Sequence, residues 1–548
     1  MQFEPRYYQV EADEAIQSNL QAGVYQQLLC MATGTGKTEV FARLAQTLNH
    51  ILPGQMMVLV HTDVLAQQAI KKIKLRNPSL NVQLEAGKHY ADPDADVIVA
   101  SVQTLGRKGT ERVNRFTWSN ITKLVVDEAH HGIADGYQRV YKAGGYLEPW
   151  SKRLLLGVTA TPTRGDGQGL ASVYKKIVYT YTLRQGVDDN FLAEPVGIRV
   201  DTKTSLDGVS TSGGEYKTSE LAKEINNPVR NHLVAIAYQE YGEGRKAVGF
   251  CANIQHAQDL AEVFRQRGIN AEAIWGEDEN KNEKLKLFTS GKIKILLNAQ
   301  LLTEGFDEPS IECVILASPT KSGVTFAQRV GRGTRLYPGK TDCIVIDVCD
   351  LSTRHSLVTL PTLIGLPSGL NLQGRGLVAS ARAIEEVLKE YPHLDLTGLT
   401  DITNLEAFVQ EVNLFEVKFR PEVETNSEYT WYPMVTGGYR IMLPDKDWVK
   451  LEQNLLDTWE LRGNIKGKKY RGERSTMAEA FSAADGLIAK VVPEAVTLLK
   501  RKAHWHEDAA TPKQMKMLRK FFKGKQIPPD ITKGEASKLI GEHFASKG

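Results

Sequence analysis

At 548 residues the chain has room for about three domains of ordinary size. Hydrophobic residues make up 42% and charged residues 24%, a balance that supports a sizeable buried core. The formal charge of +3, from 68 Lys+Arg against 65 Asp+Glu, is too small for a chain that binds polyanions through bulk charge, so any nucleic-acid face must come from local clustering. No apolar run is long enough to predict a transmembrane helix, and no membrane partner is expected. The opening MQFEPRYYQVEADEAI lacks the apolar or Arg-rich pattern of a leader. The cysteines (Cys30, Cys251, Cys313, Cys343, Cys349) form no CxxC pair and read as reduced core thiols rather than a zinc site.

In chain order, apolar runs at Gln27–Met31, Met56–His61, Asp96–Ala100, Lys123–Asp127 and Arg153–Ala160 predict strands buried on both faces. Between them lie amphipathic stretches; Val40, Phe41, Leu44 and Leu48 share one face of a helix over Glu39–Leu48. Alternating strands and helices imply a parallel sheet covered by helices, assigned to residues 1–198. Residues 199–228 are polar, contain Gly213-Gly214 and predict a linker. Alternation resumes at Ala247–Cys251, Ala271–Trp275, Ile293–Asn298, Cys313–Ala317 and Cys343–Asp347, giving a second α/β lobe over 229–355. An accessory domain is expected over 356–505, with a helix near Ser380–Glu390 and strands over Tyr429–Leu443 turning at Gly437-Gly438. Tyr429, Trp431 and Tyr432 read as core of that β-element. Residues 506–548 carry Thr511-Pro512-Lys513-Gln514 and Thr532-Lys533-Gly534-Glu535, two helix starts with capping-box spacing that predict a small helical hairpin.

The chemistry begins at MATGTGKT, Met31 to Thr38, between a predicted strand and a predicted helix. Gly34 and Gly36, with Thr33 and Thr35, let the backbone curl so that N–H groups face a polyphosphate at a helix N-terminus. Lys37 can reach the β- and γ-phosphates of ATP, and Thr38 can place a hydroxyl on Mg2+. Met31 stands where the general pattern has its first glycine. Asp127-Glu128-Ala129-His130 ends an apolar strand, so its carboxylates project into the crevice where such sheets bind ligands. Asp127 suits the Mg2+ shell, and Glu128 can orient and deprotonate the attacking water. These two elements together predict an NTPase.

Further segments resemble superfamily 2 helicases, and in chain order. Thr159-Ala160-Thr161-Pro162 resembles the element that couples ATP state to nucleic-acid grip. Gln328-Arg329-Val330-Gly331-Arg332-Gly333-Thr334-Arg335 is similar to the QxxGRxxR element of their second lobe, which implies catalytic roles for Gln328, Arg332 and Arg335; the two arginines suit fingers that stabilise charge spreading over the γ-phosphate. Pro5-Arg6-Tyr7-Tyr8-Gln9 resembles an adenine-reading motif, with the Gln9 amide offered to the base edge. Val60-His61-Thr62 and Ser101-Val102-Gln103-Thr104-Leu105 resemble strand-contact motifs. Leu302-Thr303-Glu304-Gly305-Phe306-Asp307 resembles the segment that links ribose, catalytic water and nucleic-acid backbone, which gives Thr303, Gly305 and Asp307 their expected roles. The resemblance implies an α/β fold with two tandem RecA-like lobes, parallel sheets with helices on both faces, followed by a mixed α+β C-terminal extension. Gly331 to Asp350 looks like RadD-type bacterial repair helicases, and His355 to Pro367 looks like a fungal mitochondrial branched-DNA helicase group.

Basic residues recur beyond these motifs. Arg462, Lys466, Lys468, Lys469, Arg471 and Arg474 crowd around Tyr470, and Lys500–Gln526 holds nine Lys/Arg with Trp505 and Phe521-Phe522 interleaved. Cations neutralise phosphates and aromatics stack on bases, so both segments are expected to touch nucleic acid. His504 and His506 read as a surface pair rather than metal ligands. The expected function is an ATP- and Mg2+-dependent DNA helicase or translocase acting on single-stranded, forked or branched repair intermediates. The alternatives are the motor subunit of a restriction or anti-phage system, and an RNA helicase. The DNA-type relatives and the missing leader favour the cytoplasm of a bacterium, or a phage-encoded protein.

Overall fold

The computed structural model describes residues 4–160, 170–212, 215–299, 301–302, 306–352, 358–364, 366–390, 399–404, 425–429, 431–433, 438–443, 447–454 and 456–493, with Met515, Leu518 and Ile531. Thr161, Thr303, Gly305, Gly437, the basic segment Lys500–Gln526 with its two histidines, and the expected hairpin over 506–548 lie outside the described residues, apart from those last three positions.

The first sheet contains β1 (Gln26–Met31), β2 (Gln55–Val60), β3 (Val82–Glu85), β4 (Val97–Ser101), β5 (Ile121–Asp127), β6 (Leu154–Thr159) and β7 (Lys176–Tyr181). Every pairing in it is parallel, and the spatial order is β3-β4-β2-β5-β6-β1-β7. The five apolar runs seen in the sequence are its central strands; the short edge strand β3 and the half-polar β7 join them. Helices α1 (Tyr7–Gln21), α2 (Lys37–Thr47) and α3 (Asp63–Arg76) bury Ile16, Phe41, Leu44 and Ile73 against Val58, Val125 and Leu156. Because all strands run one way, their C-terminal ends share one edge of the sheet, the edge where such folds place ligands.

The second sheet is also parallel. It contains β8 (Glu194–Ser205), β11 (Ala247–Phe250), β12 (Ala271–Ile274), β13 (Ile295–Asn298), β14 (Cys313–Leu316) and β15 (Asp342–Leu351), in the order β12-β13-β11-β14-β15-β8. The reading of 199–228 as a linker does not hold. Residues 199–205 finish β8, which pairs with β15 from Asp342↔Glu194 to Leu351↔Ser205. A short hairpin of β9 (Thr211–Ser212) and β10 (Glu215–Tyr216) follows, then a helix, Thr218–Ile225. Leu206, Val209, Tyr216, Leu221 and Ile225 give this stretch a small core of its own. The strand hid in the sequence because β8 is an edge strand, where Arg199, Asp201 and Lys203 alternate with Val200 and Thr202. Both sheets belong to one compact unit, Met1–Leu363 with Gly376–Val378.

The second unit comprises Ile364–Arg375 and Ala379–Gly548. Its sheet is antiparallel, in the order β16 (Tyr432–Pro433), β17 (Tyr439–Met442), β18 (Trp448–Gln453), β19 (Trp459–Ile465), β20 (Lys468–Arg474). The helix Met477–Val491 covers one face, packing Phe481, Ala484 and Ile488 with Trp431, Val449 and Leu451. Trp431 and Tyr429 are core residues, as expected, and the Trp431 indole N–H donates to Asp485 Oδ1 at 3.1 Å. The cationic run Arg462 to Arg474 is the β19–β20 hairpin. Its two-residue turn, Lys466-Gly467, has positive φ at both positions (50° and 74°), the geometry that matches the twist of paired strands. Lys466, Lys468, Lys469, Arg471 and Arg474 are exposed.

Candidate active site

The phosphate loop leaves the C-terminal end of β1 and becomes α2. Gly34 (φ 87°) and Gly36 (φ 85°) are left-handed, a conformation costly for any residue with a Cβ. The turn is braced from below: the Thr35 hydroxyl donates to the Ala32 carbonyl at 2.7 Å, and the Thr35 carbonyl accepts from the Tyr8 hydroxyl at 2.8 Å and from Gln9 Nε2 at 3.0 Å. Thr38 lies in the first turn of α2 and is part-exposed.

Gln9 therefore sits differently from its expected place. It is 2% exposed, its Oε1 accepts from the Arg6 backbone N–H at 3.1 Å, and its Nε2 holds the phosphate loop. In this conformation the amide braces the loop instead of facing a base edge. Tyr8 and Arg6, which donates to the Tyr8 hydroxyl at 2.9 Å, complete the brace. Both lie in the motif that holds Gln9, but the motif alone assigns neither a role of its own.

Asp127 ends β5 and its Oδ1 accepts from the Glu128 backbone N–H at 3.0 Å. Glu128 adopts φ 50°, ψ 53°, a strained backbone for a residue with a long side chain, and the kind of strain that marks functional turns. Its carboxylate faces Lys37 Nζ at 3.5 Å and His130 Nδ1 at 3.4 Å. Burial pushes the Glu128 carboxyl up, but the charges of Lys37, His130, His131 and Arg332 together outweigh burial and hold it below the usual carboxylate range. Glu128 is thus kept ionised, the state that its expected role requires.

The second lobe delivers its arginines here. The helix Gly323–Val330 carries Gln328 and ends just before Arg332. Arg332 donates to the Phe306 carbonyl at 2.5 Å; Arg335 donates to the same carbonyl at 3.3 Å and pairs with Asp307. A Cβ on Gly331 would stand 2.4 Å from Thr33 Cβ, and one on Gly34 would stand 3.3 Å from Arg335 Cγ. The arginine segment therefore packs directly on the phosphate loop. Gln328 is 2% exposed, and neither its Nε2 nor the Thr33 hydroxyl has a hydrogen-bond partner among the described residues.

The expected strand-contact residues occupy the C-terminal ends of β2 and β4. The Thr62 hydroxyl caps α3, accepting from Leu65 N–H at 3.3 Å. Gln103 is exposed, and Thr104 Oγ1 accepts from the Gly87 N–H at 2.9 Å. Thr159, at the end of β6, is fully buried and so presents no surface for direct contact with a strand. His61 stacks on His131 (centroids 4.5 Å apart), which lies against His130 (4.1 Å), which meets Glu128. This row of imidazoles joins the end of β2 to Glu128; nothing in the sequence spacing announces it.

Three families match consecutive parts of the chain. Residues 2–164 match the type III restriction enzyme res subunit, 229–337 the helicase conserved C-terminal domain, and 412–548 the C-terminal domain of the mitochondrial helicase Irc3. The first two matches give residues 2–337 the paired domains of superfamily 2 helicases, the first of them of the type III restriction kind. It is 34% identical over 366 residues to a Schizosaccharomyces pombe protein named "Putative mitochondrial ATP-dependent helicase irc3", covering 66% of this chain and 60% of that one. It is 29% identical over 422 residues to the Saccharomyces cerevisiae "Putative ATP-dependent helicase IRC3", covering 73% and 60%. The chain thus spans about 60% of the length of these two relatives. Among solved structures, the Type ISP restriction-modification enzyme LlaBIII bound to DNA aligns with a TM-score of 0.49 at 17% identity, over 74% of this chain and 32% of that one. These two relatives are yeast proteins and one is named mitochondrial, so the expected bacterial or phage setting finds no support in them. No helix among the described residues is long and apolar enough to cross a membrane.

Proposed function

We propose that this chain is an ATP-driven nucleic-acid helicase or translocase, acting on DNA with single-stranded, forked or branched character. The observation that carries the reading is the seating of the second lobe's arginine segment on the first lobe's phosphate loop, through Gly331 against Thr33 and Arg335 against Gly34. A site divided between two lobes couples the state of the nucleotide to their closure, which is what a motor requires. Lys37 and the loop N–H groups would hold the β- and γ-phosphates. Glu128, held ionised, would take the proton of the attacking water as its oxygen bonds to the γ-phosphorus and the bond to the β-phosphate oxygen breaks. Arg332 and Arg335 would stabilise the charge that spreads over the γ-phosphoryl group. Thr38 and Asp127 offer the hard oxygens that Mg2+ prefers, and no group of three or more acidic, His or Cys side chains competes for it among the described residues; phosphates and water would complete its shell. Mg2+ would neutralise phosphate charge when bound.

DNA is favoured by the likeness of residues 2–164 to a restriction-enzyme subunit. The same likeness favours a second reading, a motor that tracks duplex DNA without separating its strands. Hydrolysis rates measured with single-stranded, duplex and forked DNA and with RNA separate the cases. Strongest stimulation by single-stranded or forked DNA supports the helicase reading; stimulation by duplex alone supports the tracking motor; stimulation by RNA alone refutes both.

A further inference from the structure

The strand order puts the acid on the central strand β5, with the nucleotide loop after β1 on one side of it and the expected strand contacts at the ends of β2 and β4 on the other. One strand lies beyond them, β3 at the sheet's edge, and the loop after its C-terminal end carries Tyr90. This residue is 61% exposed. It is nevertheless held in place: the Arg112 guanidinium lies 3.7 Å from its ring centroid and that of Arg115 4.9 Å. Both arginines are anchored on one fully buried carboxylate, Glu85, at 3.2 and 3.0 Å. The loop is also tied to the neighbouring contact segment, through the Gly87 N–H and Thr104 Oγ1 at 2.9 Å.

We propose that Tyr90 is a base-stacking platform that extends the path of a single nucleic-acid strand past β2 and β4 to the sheet's edge. The proposal rests on the motor reading above. An aromatic ring left to solvent, braced by two buried-anchored cations, has its position fixed and a face to offer, which lowers the ordering cost of stacking. Cation–π contact from Arg112 polarises the ring as well. The charge around it suits a polyanion, with Lys88, Arg107 and Lys108 all exposed nearby in the chain. Two of the acidic residues that follow, Asp94 and Asp96, are led toward the N-terminal ends of the strands: Gln55, at the start of β2, donates to the Pro93 and Ala95 carbonyls at 2.7 and 2.9 Å, and Asp96 accepts from the Asn81 N–H at 2.8 Å.

The test is binding of the full chain to a labelled oligothymidylate across a salt series. Tyr90→Ala should weaken binding by roughly 5- to 150-fold, the range for one stacked base, and leave the salt slope unchanged because no cation is removed. Tyr90→Trp should keep the affinity, and its fluorescence should be quenched as the oligonucleotide binds. Hydrolysis without nucleic acid should be unchanged in both. Wild-type affinity in Tyr90→Ala, a shallower slope, or an unquenched Tyr90→Trp would each overturn the stacking role while leaving the motor reading intact. Failure of the unaltered chain to bind any oligonucleotide would overturn the motor reading, and this proposal with it.

Discussion

Gly331→Ala tests whether the arginine segment works by seating on the phosphate loop. The backbone at this position (φ −61°, ψ −14°) accepts alanine without strain, so the substitution acts through its methyl group alone. That methyl would stand 2.4 Å from Thr33 Cβ and 2.7 Å from Thr33 Cγ2, where ordinary contact needs about 3.4–4 Å. A Cβ cannot rotate away, so the lobes must separate by about 1 Å. Overpacking of this kind costs about 1–3 kcal/mol, and here the cost falls on the closed state. A displacement of about 1 Å at Arg332 and Arg335 should lower kcat by about 10²-fold. Steady-state hydrolysis gives kcat, and thermal melting should show both lobes still folded, since neither core is touched. Thr33→Gly removes both clashing atoms, so Gly331→Ala should cost much less in that background. A Gly331→Ala protein with the parent kcat would refute the reasoning.

Glu128→Gln should bind ATP and turn it over about 10²-fold or more slowly, measured as ATP retained on the protein against phosphate released. His256, fully buried, donates no positive charge to the core: burial, then the charge of Arg230, lowers its pKa from 6.5 to about 3. The unfolded chain takes up that proton near pH 6.5 and the folded chain does not, so stability is present above 6.5 and is lost as the pH falls. Between pH 7 and 5 the loss should be about 2 kcal/mol, read from denaturant midpoints, and His256→Gln should flatten it. Reversing Lys468, Lys469 and Arg471 to Glu, all exposed on the hairpin, should weaken binding to forked DNA and make its salt dependence shallower, with melting unchanged.

The two parallel sheets were legible because central strands such as Met56–Val60 and Leu124–Val126 are buried on both faces and leave an unbroken apolar signature. The phosphate loop and acid were legible because their chemistry demands fixed residues at fixed spacing, and Gly34, Gly36, Lys37, Asp127 and Glu128 gather at one sheet edge. What escaped the sequence depends on side-chain geometry or on contacts between distant segments. Gln9 faces the Thr35 carbonyl, a choice between two hydrogen-bonding targets that residue type cannot decide. The contact of Gly331 with Thr33 and the stacking of His61 on His131 arise only once the chain has folded. Strand β8 was masked by its edge position, and β19 by the cations of its partner β20: Leu461, Gly463 and Ile465 alternate inward on β19 beside the charges that drew attention to the segment.

The central claim is that hydrolysis in this split site moves the chain along nucleic acid. Displacement of streptavidin from a biotin at either end of a single-stranded oligonucleotide measures that movement directly. The account predicts ATP-dependent displacement from one end, lost in Glu128→Gln. ATP hydrolysis at full rate with no displacement from either end would contradict it.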